Sequence, residues 1–430
     1  MIYADDLGYG DLGCYGSRIP TPNLDRMAGE GMRFTQFSSA NPVCSPSRAA
    51  LLTGRYPTRV NVPRVLYPTD SVGLPDSETT IAQMLKKIGY RTMCVGKWHL
   101  GHLPQYLPTN RGFDEYFGIP YSNDMNPRLL LHNTEVVEQT ATLETLTPRY
   151  TERAAGFIRS AKGSPFFLYF AHTFPHIPLA ASSNFRGKTG MGLYADVVHE
   201  VDWSVGRVLN ALRETGVERA TLVMFSSDNG PWYQGSPGKL RGRKGSTLEG
   251  GVREPFIARF PGRIPAGRVS HVIGSTMDVL PTVARLSGAK LPAAAVDGVD
   301  LWPVLSGRAQ SLDREALLYF DDIHLQCARW KRWKLHLARY TGAAYSPAPG
   351  GHRRNLPLNP PELYDLEADP DESYDVAPDH PDLVEQIKAR VNRLMAGFPE
   401  PIRRDYELTM KIATRPSTPG AFPREAEHSR

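Results

Sequence analysis

Short apolar runs alternate with amphipathic segments up to about residue 310, and this alternation restricts the possible folds more than any other feature. Each run is mostly apolar, as expected for strands buried on both faces; the runs cover residues 92–95, 166–171, 221–226 and 255–260. Helical patterns lie between them, at residues 22–31, 79–88, 148–160, 194–215 and 278–287. The alternation predicts an α/β fold with a large, mixed and mostly parallel sheet sandwiched by helices.

The pattern changes near residue 310. Short strands are predicted at residues 317–320, 326–330, 334–338 and 362–366, with a loop rich in proline and glycine at 346–361 and a helix at 381–395. We therefore predict an α/β domain over residues 1–310 and a smaller α+β domain with an antiparallel sheet over 311–398. Residues 399–430 are polar with little periodicity, which predicts an extended or disordered tail.

Two pairs of residues with oxygen donors follow apolar runs, at positions where parallel strands deliver ligand-binding side chains. Asp5-Asp6 follow the apolar start of the chain, and Asp228-Asn229 follow the run at 221–226. Two carboxylates about 4 Å apart repel by about 4 kcal/mol at an effective dielectric constant of about 20. A hard cation removes this repulsion, and oxygen donors suit Ca²⁺ or Mg²⁺. Taken alone, either pair could instead be an ordinary turn or loop cap.

Composition excludes several classes of protein. No stretch of about 18 apolar residues occurs, so no membrane span is predicted. The net charge of +5 is spread along the chain, which argues against a nucleic-acid partner. The four cysteines form no C-x-x-C pair, so zinc ribbons and thioredoxin-like chemistry have no support. The first strand is short, no signal peptide precedes it, and the start of the chain looks truncated.

One of these cysteines, Cys44, lies in the segment NPVCSPSRAALLTGR at residues 41–55. A lone cysteine is usually a small buried apolar residue. Here Arg48 and a helix-forming stretch follow it, so a reactive group at position 44 would lie near a helix N-terminus and a guanidinium. Both features stabilise negative charge.

This segment resembles the signature of the type I sulfatases, in which the cysteine of C-x-P-S-R is oxidised to formylglycine. Further blocks resemble the same family in the same order, at residues 5–11 (DDLGYGD), 96–101 (GKWHLG), 227–230 (SDNG), 250–255 (GGVREP) and 363–370 (LYDLEADP). The resemblance extends over residues 1–397 and is greatest to the branch of arylsulfatase A and N-acetylgalactosamine-6-sulfatase. It implies an alkaline-phosphatase-like fold and hydrolysis of aryl or carbohydrate sulfate esters.

The resemblance also implies a set of site residues. Ca²⁺, or else Mg²⁺, would be bound by Asp5, Asp6, Asp228, Asn229 and an oxygen on the modified Cys44. The formylglycine at position 44 would attack sulfur as a hydrated aldehyde and form a sulfoenzyme intermediate, after modification by a formylglycine-generating enzyme. This hydrate would be activated by the cation and by Arg48.

The remaining roles implied by the resemblance belong to acid–base and sulfate-binding groups. His99 would be the base that releases sulfate, and His176 would protonate the leaving oxygen. Lys97 and Lys244 would hold the sulfate oxygens, and Ser122 would contact the same group. His172 lies four residues before His176 and is the alternative for the acid.

Two other readings of the sequence stay open. The first is a phosphatase or phosphonate monoester hydrolase of the same fold, since phosphate and sulfate are both tetrahedral oxyanions. The second is a non-catalytic carbohydrate-binding protein. Periplasmic or secreted localisation is typical of the family, whereas the oligomeric state and the natural ester are not indicated by the sequence.

Overall fold

The protein contains two main β-sheets in the computed structural model, which describes residues 1–341 and 354–413. In chain order the strands are β1 (Ile2–Ala4), β2 (Met32–Phe34), β3 (Phe37–Ser38), β4 (Arg91–Gly96), β5 (Glu115–Gly118), β6 (Leu130–His132), β7 (Glu135–Glu138), β8 (Phe166–Ala171), β9 (Val223–Ser227), β10 (Phe256–Arg259), β11 (Arg268–Ser270), β12 (Gly274–Ser275), β13 (Leu317–Asp321), β14 (His324–Trp330), β15 (Trp333–Tyr340) and β16 (Asn355–Asp365). The four predicted runs correspond to β4, β8, β9 and β10, with ends that differ by at most two residues.

The larger sheet has ten strands in the order β11-β2-β10-β9-β1-β8-β4-β5-β6-β7. Its centre, from β9 to β5, is parallel, whereas β10, β6 and β7 pair in antiparallel fashion. This confirms the predicted mixed, mostly parallel sheet. Because β1 lies between β8 and β9, the ends of these three strands meet at the middle of one sheet edge.

Helices cover both faces of this sheet. The helices of the chain are α1 (Pro22–Gly29), α2 (Cys44–Thr53), α3 (Ile81–Lys86), α4 (Leu146–Ser160), α5 (Leu193–Glu214), α6 (Glu249–Val252), α7 (Val279–Ser287), α8 (Trp302–Leu305), α9 (Pro381–Met395) and α10 (Glu400–Ala413). Apolar side chains of α2, α3 and α7 form one core, and those of α1, α4 and α5 form a second. Among the described residues, no helix combines the length and apolar character that crossing a membrane requires.

The strand β1 shows why the predicted strands are apolar on both of their faces. Its Tyr3 packs in the core on one face, whereas Ile2 and Ala4 pack in the core on the other. Side chains alternate across a strand, so a strand covered on both faces needs an apolar residue at each position.

The second sheet is antiparallel, in the order β13-β14-β15-β16. The helix α9 spans the predicted residues and buries Val384, Ile387 and Val391 against this sheet. This arrangement confirms the α+β character of the smaller unit.

Two predictions about this unit are wrong. Residues 399–413 are not an extended tail, because Glu400–Ala413 form α10, which buries Ile402 and Tyr406. The predicted loop 346–361 is a strand from Asn355 onward. Its prolines are tolerated because β16 is an edge strand, where a missing N–H need not leave a ladder hydrogen bond unmade. Residues 346–353 and 414–430 lie outside the described residues.

Candidate active site

The two predicted pairs, Asp5-Asp6 and Asp228-Asn229, lie side by side at the carboxyl ends of β1 and β9. Ala4 and Ser227 are paired in the parallel ladder, so the residues that follow each strand emerge side by side. The Asp6 backbone N–H donates to Asp228 Oδ1 at 3.1 Å, and Asn229 Nδ2 lies 2.7 Å from Asp6 Oδ1. Asp6 adopts a positive φ of 60°, a conformation uncommon outside glycine that is concentrated at functional sites.

Three positively charged side chains pair with these carboxylates. Arg48 donates through Nη2 and Nε to Asp228 Oδ2 at 2.8 and 3.1 Å. Lys97 Nζ lies 2.6 Å from Asp5 Oδ2, and Lys244 Nζ lies 2.9 Å from Asp6 Oδ1. The Lys244 side chain is 5% exposed and the Asp6 side chain 1%, so these pairs are screened little by solvent.

The charges of this cluster shift the pKa values of its members. Burial raises the pKa of the Asp5 carboxyl, but Lys97, His176 and Arg48 outweigh burial and hold the pKa below its ordinary value. Burial, followed by the negative charge of Asp5, raises the pKa of Asp228. A further positive charge beside this pair would therefore be favourable.

Cys44 opens α2 and points at the acidic cluster. Its Sγ lies 3.7 Å from Asp5 Oδ1, and the residue is 2% exposed. Burial raises the pKa of the Cys44 thiol to about 12, so the unmodified side chain is a neutral and weak nucleophile. In the mature form that the resemblance implies, an oxygen of the modified residue would take the place of Sγ.

The donor set at this edge fits a divalent cation. Ligand atoms of Asp5, Asp6, Cys44 and His176 lie within 4.8 Å of one another. The Oδ1 of Asn229 is buried and has no hydrogen-bond partner among the described residues, which leaves one oxygen ready for an ion. With an oxygen instead of sulfur at position 44, the set becomes rich in hard donors, which suit Ca²⁺ or Mg²⁺.

The segment after β4 places Lys97 and His99. Gly96 has a φ of 102°, and a Cβ there would collide with the Ala171 carbonyl, so glycine is needed where the chain leaves the sheet. Beyond this glycine, Lys97 Nζ lies 3.1 Å from Ser122 Oγ. His99 also has a positive φ, of 60°.

The two ring nitrogens of His99 differ in their hydrogen bonding. Its Nε2 lies 2.9 Å from the Leu66 carbonyl oxygen and must donate there, so in the neutral ring Nδ1 is the unprotonated nitrogen. Nδ1 is buried without a hydrogen-bond partner in the described part of the chain. Burial, reinforced by Lys97 and Arg48, lowers the pKa of His99 well below its ordinary value. The ring is therefore a neutral group able to accept a proton.

The structure separates His176 from His172. His176 Nε2 lies 3.6 Å from Asp6 Oδ2, and its Nδ1 donates to the Ile177 carbonyl oxygen at 2.5 Å. His172 instead packs against Phe170, with ring centroids 4.1 Å apart and the rings tilted by 35°, and burial lowers the pKa of His172 to about 3. Of the two, His176 is the histidine that faces the acidic cluster.

A cavity of about 260 Å³ connects these groups to the surface. Among the predicted residues its wall contains Asp6, Cys44, His99, Ser122, His176 and Lys244. Sequence reasoning did not find the rest of the wall, which includes Val65, Tyr67, Asp124, Met125 and Trp232. These residues lie in loops that have no helical or strand periodicity. The type of each side chain was therefore the only signal in the sequence that could have identified them.

Glu254 is a second group that sequence reasoning missed. Its carboxyl oxygens are buried and have no hydrogen-bond partner in the described ranges. Burial, together with the negative charges of Asp228 and Asp6, raises the pKa of Glu254 well above its ordinary value, which favours the neutral form of this carboxyl. It belongs to the GGVREP block, although no property of the sequence alone distinguishes it from a surface acid.

Comparison with known families and proteins agrees with this geometry. The sulfatase family model matches residues 1–289, and the model of the C-terminal region of aryl-sulfatase matches residues 312–418. The chain belongs to the sulfatase family. It is accordingly a sulfuric ester hydrolase.

Individual members of this family match most of the chain. Bovine arylsulfatase A is 39% identical over 472 residues, covering 97% of this chain and 92% of the relative. Rat N-acetylgalactosamine-6-sulfatase is 43% identical over 377 residues, covering 80% of this chain and 72% of the relative. These two relatives belong to the branch that the motifs indicated.

Solved structures show the same fold. A sulfatase from a Pseudoalteromonas species superposes with a TM-score of 0.85 at 28% identity, covering 94% of this chain and 90% of that chain. A protein crystallised with k-i-k-neocarrahexaose gives a TM-score of 0.81 at 30% identity, with 97% of both chains covered. A phosphonate monoester hydrolase from Silicibacter pomeroyi shares the fold at 20% identity and a TM-score of 0.66.

Proposed function

We propose that this sulfatase hydrolyses aryl or carbohydrate sulfate esters with a formylglycine nucleophile derived from Cys44. The observation that carries the proposal is the position of Cys44, at the start of α2, 3.7 Å from Asp5 and in the wall of a cavity shared with two histidines and Lys244. The substrate class follows the names of the relatives, an arylsulfatase and a sulfatase of N-acetylgalactosamine. A formylglycine-generating enzyme would be the maturation partner.

A calcium ion is the second part of the proposal. Asp5, Asp6, Asp228 and the buried Oδ1 of Asn229 would bind it, together with an oxygen at position 44. When bound, the ion supplies positive charge that lowers the pKa of a coordinated hydroxyl and offsets the repulsion among the carboxylates. Magnesium is the alternative ion for the same donors.

The side chains around the cavity have complementary tasks in ester cleavage. A hydrated aldehyde at position 44 supplies two hydroxyl groups. The first loses its proton to solvent and attacks sulfur, and deprotonation of the second later expels sulfate and restores the aldehyde. Arg48 holds Asp228 and adds positive charge next to the attacking oxygen. Lys97, Ser122 and Lys244 hold the sulfate oxygens while negative charge moves to the leaving group.

The two histidines move protons at opposite ends of the reaction. In its imidazolium form, with Nδ1–H held by the Ile177 carbonyl oxygen, His176 donates the proton of Nε2 to the oxygen of the leaving alcohol as the sulfur–oxygen bond breaks. His99 accepts a proton at Nδ1, because its Nε2–H is held by the Leu66 carbonyl. The proton received by His99 comes from the second hydroxyl. As this hydroxyl becomes the aldehyde oxygen, the bond between carbon and the sulfated oxygen breaks and sulfate leaves.

Relative turnover of a sulfate and a phosphate ester tests the proposed function. We expect kcat/KM for nitrophenyl sulfate to exceed that for nitrophenyl phosphate on the order of 100-fold, since the site is expected to stabilise the charge of a sulfuryl transition state. Mass spectrometry of the peptide that contains residue 44 should show loss of sulfur and two hydrogens and gain of one oxygen. A preference for phosphate, or an unmodified thiol in fully active enzyme, would contradict the proposal.

The role of His176 predicts an effect that depends on the leaving group. His176→Ala should lower kcat for a sugar sulfate by about 100-fold or more, because an alkoxide needs protonation as it leaves. Nitrophenyl sulfate should lose much less, because nitrophenolate is a stable anion. The matched control is His172→Ala, which changes a buried ring outside the cavity and should affect both substrates equally. Equal losses for both substrates in His176→Ala would argue against the acid role.

A further inference from the structure

The loop that carries Lys244 lies between the acidic cluster and the smaller domain. We call residues 241–249 the Lys244 loop. At its middle, Lys244 Nζ lies 2.9 Å from Asp6 Oδ1, and the Gly245 N–H donates to the Pro42 carbonyl oxygen at 2.8 Å. Pro42 precedes Cys44 by two residues, so the middle of the loop contacts both the acids and the start of α2.

The two ends of this loop are attached to one residue of the smaller domain. Arg241 Nη1 donates to the Glu372 carbonyl oxygen at 2.7 Å. At the other end, the Glu249 N–H donates to Glu372 Oε2 at 2.6 Å. Glu372 follows β16 and has 0% exposure, so both hydrogen bonds are shielded from water.

A lysine of the smaller domain holds the second half of the loop. Lys334, in β15, donates from Nζ to the Thr247 carbonyl oxygen at 2.7 Å and to Glu249 Oε1 at 2.9 Å. The same Nζ lies 3.2 Å from Glu372 Oε1. The side chains of Lys334, Glu249 and Glu372 are all 0% exposed. Such a buried ionic group is costly to form and stiff once formed, because each member depends on the others.

The loop has little regular structure of its own. Gly242 and Gly245 have φ values of 88° and 79°, and the Gly250 N–H closes the loop on the Arg241 carbonyl oxygen at 2.7 Å. The larger domain also holds the middle of the loop. The Lys244 N–H donates to the Pro231 carbonyl oxygen at 3.1 Å, and Arg243 Nη1 donates to the Trp232 and Gly235 carbonyl oxygens at 2.9 and 2.6 Å. A loop rich in glycine has many accessible conformations, so contacts at its ends restrict where its middle lies.

We infer that Lys334 and Glu372 are positioning residues, through which the smaller domain sets the place of Lys244 in the sulfate-binding site. The inference rests on the proposed function, in which Lys244 holds sulfate oxygens. It assigns the smaller domain a part in catalysis although neither residue lies in the wall of the reaction cavity.

A double-mutant cycle tests this inference. Lys334→Met removes the ammonium group and keeps an unbranched side chain, and it should lower kcat/KM for nitrophenyl sulfate by about tenfold or more. In a Lys244→Ala background the same substitution should cost less than about twofold, because the group that it positions is already gone. Lys334→Arg should restore part of the activity, since it keeps the charge and donor capacity.

Two further variants separate positioning from loss of stability. Glu372→Gln is the milder substitution if Lys334→Met does not fold, and it should show the same dependence on Lys244 with a smaller loss. Val391→Ala, in α9, removes packing from the core of the smaller domain away from the loop. It should lower Tm while leaving KM and kcat unchanged in the folded protein.

The same cycle can be measured without turnover. Calorimetric titration of the four proteins with inorganic sulfate should show weaker binding in Lys334→Met and no further weakening in the double variant. Failure of the wild-type protein to hydrolyse nitrophenyl sulfate would defeat the proposed function, and the sulfate titration would still test the positioning. Equal losses from Lys334→Met, or from Glu372→Gln, in both backgrounds would overturn the inference.

Discussion

Replacing Cys44 with alanine should abolish hydrolysis of nitrophenyl sulfate, with kcat/KM falling by at least about 10⁴-fold. Alanine has no group that can be oxidised to an aldehyde, so both hydroxyl groups required by the proposed reaction are lost. The acids, Arg48 and both lysines would stay in place, yet these groups only stabilise charge. Steady-state kinetics with purified protein measures the effect.

The fold of this variant should survive, which makes the loss interpretable. Cys44 has a small side chain that is 2% exposed at the first position of α2, and alanine is well accepted in a helix. Circular dichroism should therefore match that of the wild type. Cys44→Ser is the matched variant, since serine supplies one hydroxyl group in place of the two that a hydrated aldehyde would supply. If the alanine variant retained more than about a hundredth of the wild-type activity, residue 44 would not be the source of the nucleophile.

Removal of the divalent ion should have the second largest effect. A calcium chelator is expected to reduce kcat by at least about 100-fold and to lower Tm by about 5 °C. The structure gives the reason, because Asp5, Asp6 and Asp228 converge at one sheet edge. Without the ion, Lys97 and Lys244 offset part of their charge, so the fold should persist while the hydroxyl at position 44 loses its activation.

The control for this experiment is restoration of the ion. Added Ca²⁺ should return both activity and Tm, and Mg²⁺ should restore less because it prefers a smaller site with rigid octahedral geometry. Asn229→Ala removes a neutral ligand and should raise the calcium concentration needed for half-maximal activity. An enzyme that keeps full activity after exhaustive chelation would exclude a catalytic divalent ion.

The proposed metal-ligand positions could be predicted from the sequence because apolar runs locate the ends of buried strands. Asp5-Asp6 and Asp228-Asn229 follow apolar runs, and the parallel pairing of β1 with β9 brings them together. The position of Lys244 beside the acids could not be predicted from strand ends. It lies in a glycine-rich loop without periodicity, and only the resemblance to sulfatases predicted it near the acids.

The helix α10 shows a different limit of sequence reasoning. Its buried residues Ile402, Tyr406 and Thr409 have helical spacing, but charged residues between them gave the segment a polar composition. Contacts with the second sheet stabilise it, among them the bond from His324 Nδ1 to Asp405 Oδ2 at 2.9 Å. Helices of this length depend on tertiary packing, which the local sequence does not contain.

The position of β1 in the sheet has a consequence for the order in which the protein matures. Asp5 and Asp6 precede the strand before Asp228, and also Lys334 and Glu372, by more than 200 residues along the chain. The sheet around β1 cannot close before that later chain has left the ribosome. Until then the cavity around Cys44 lacks the walls that Trp232 and Lys244 provide, and this is the interval in which the proposed modifying enzyme would reach the thiol.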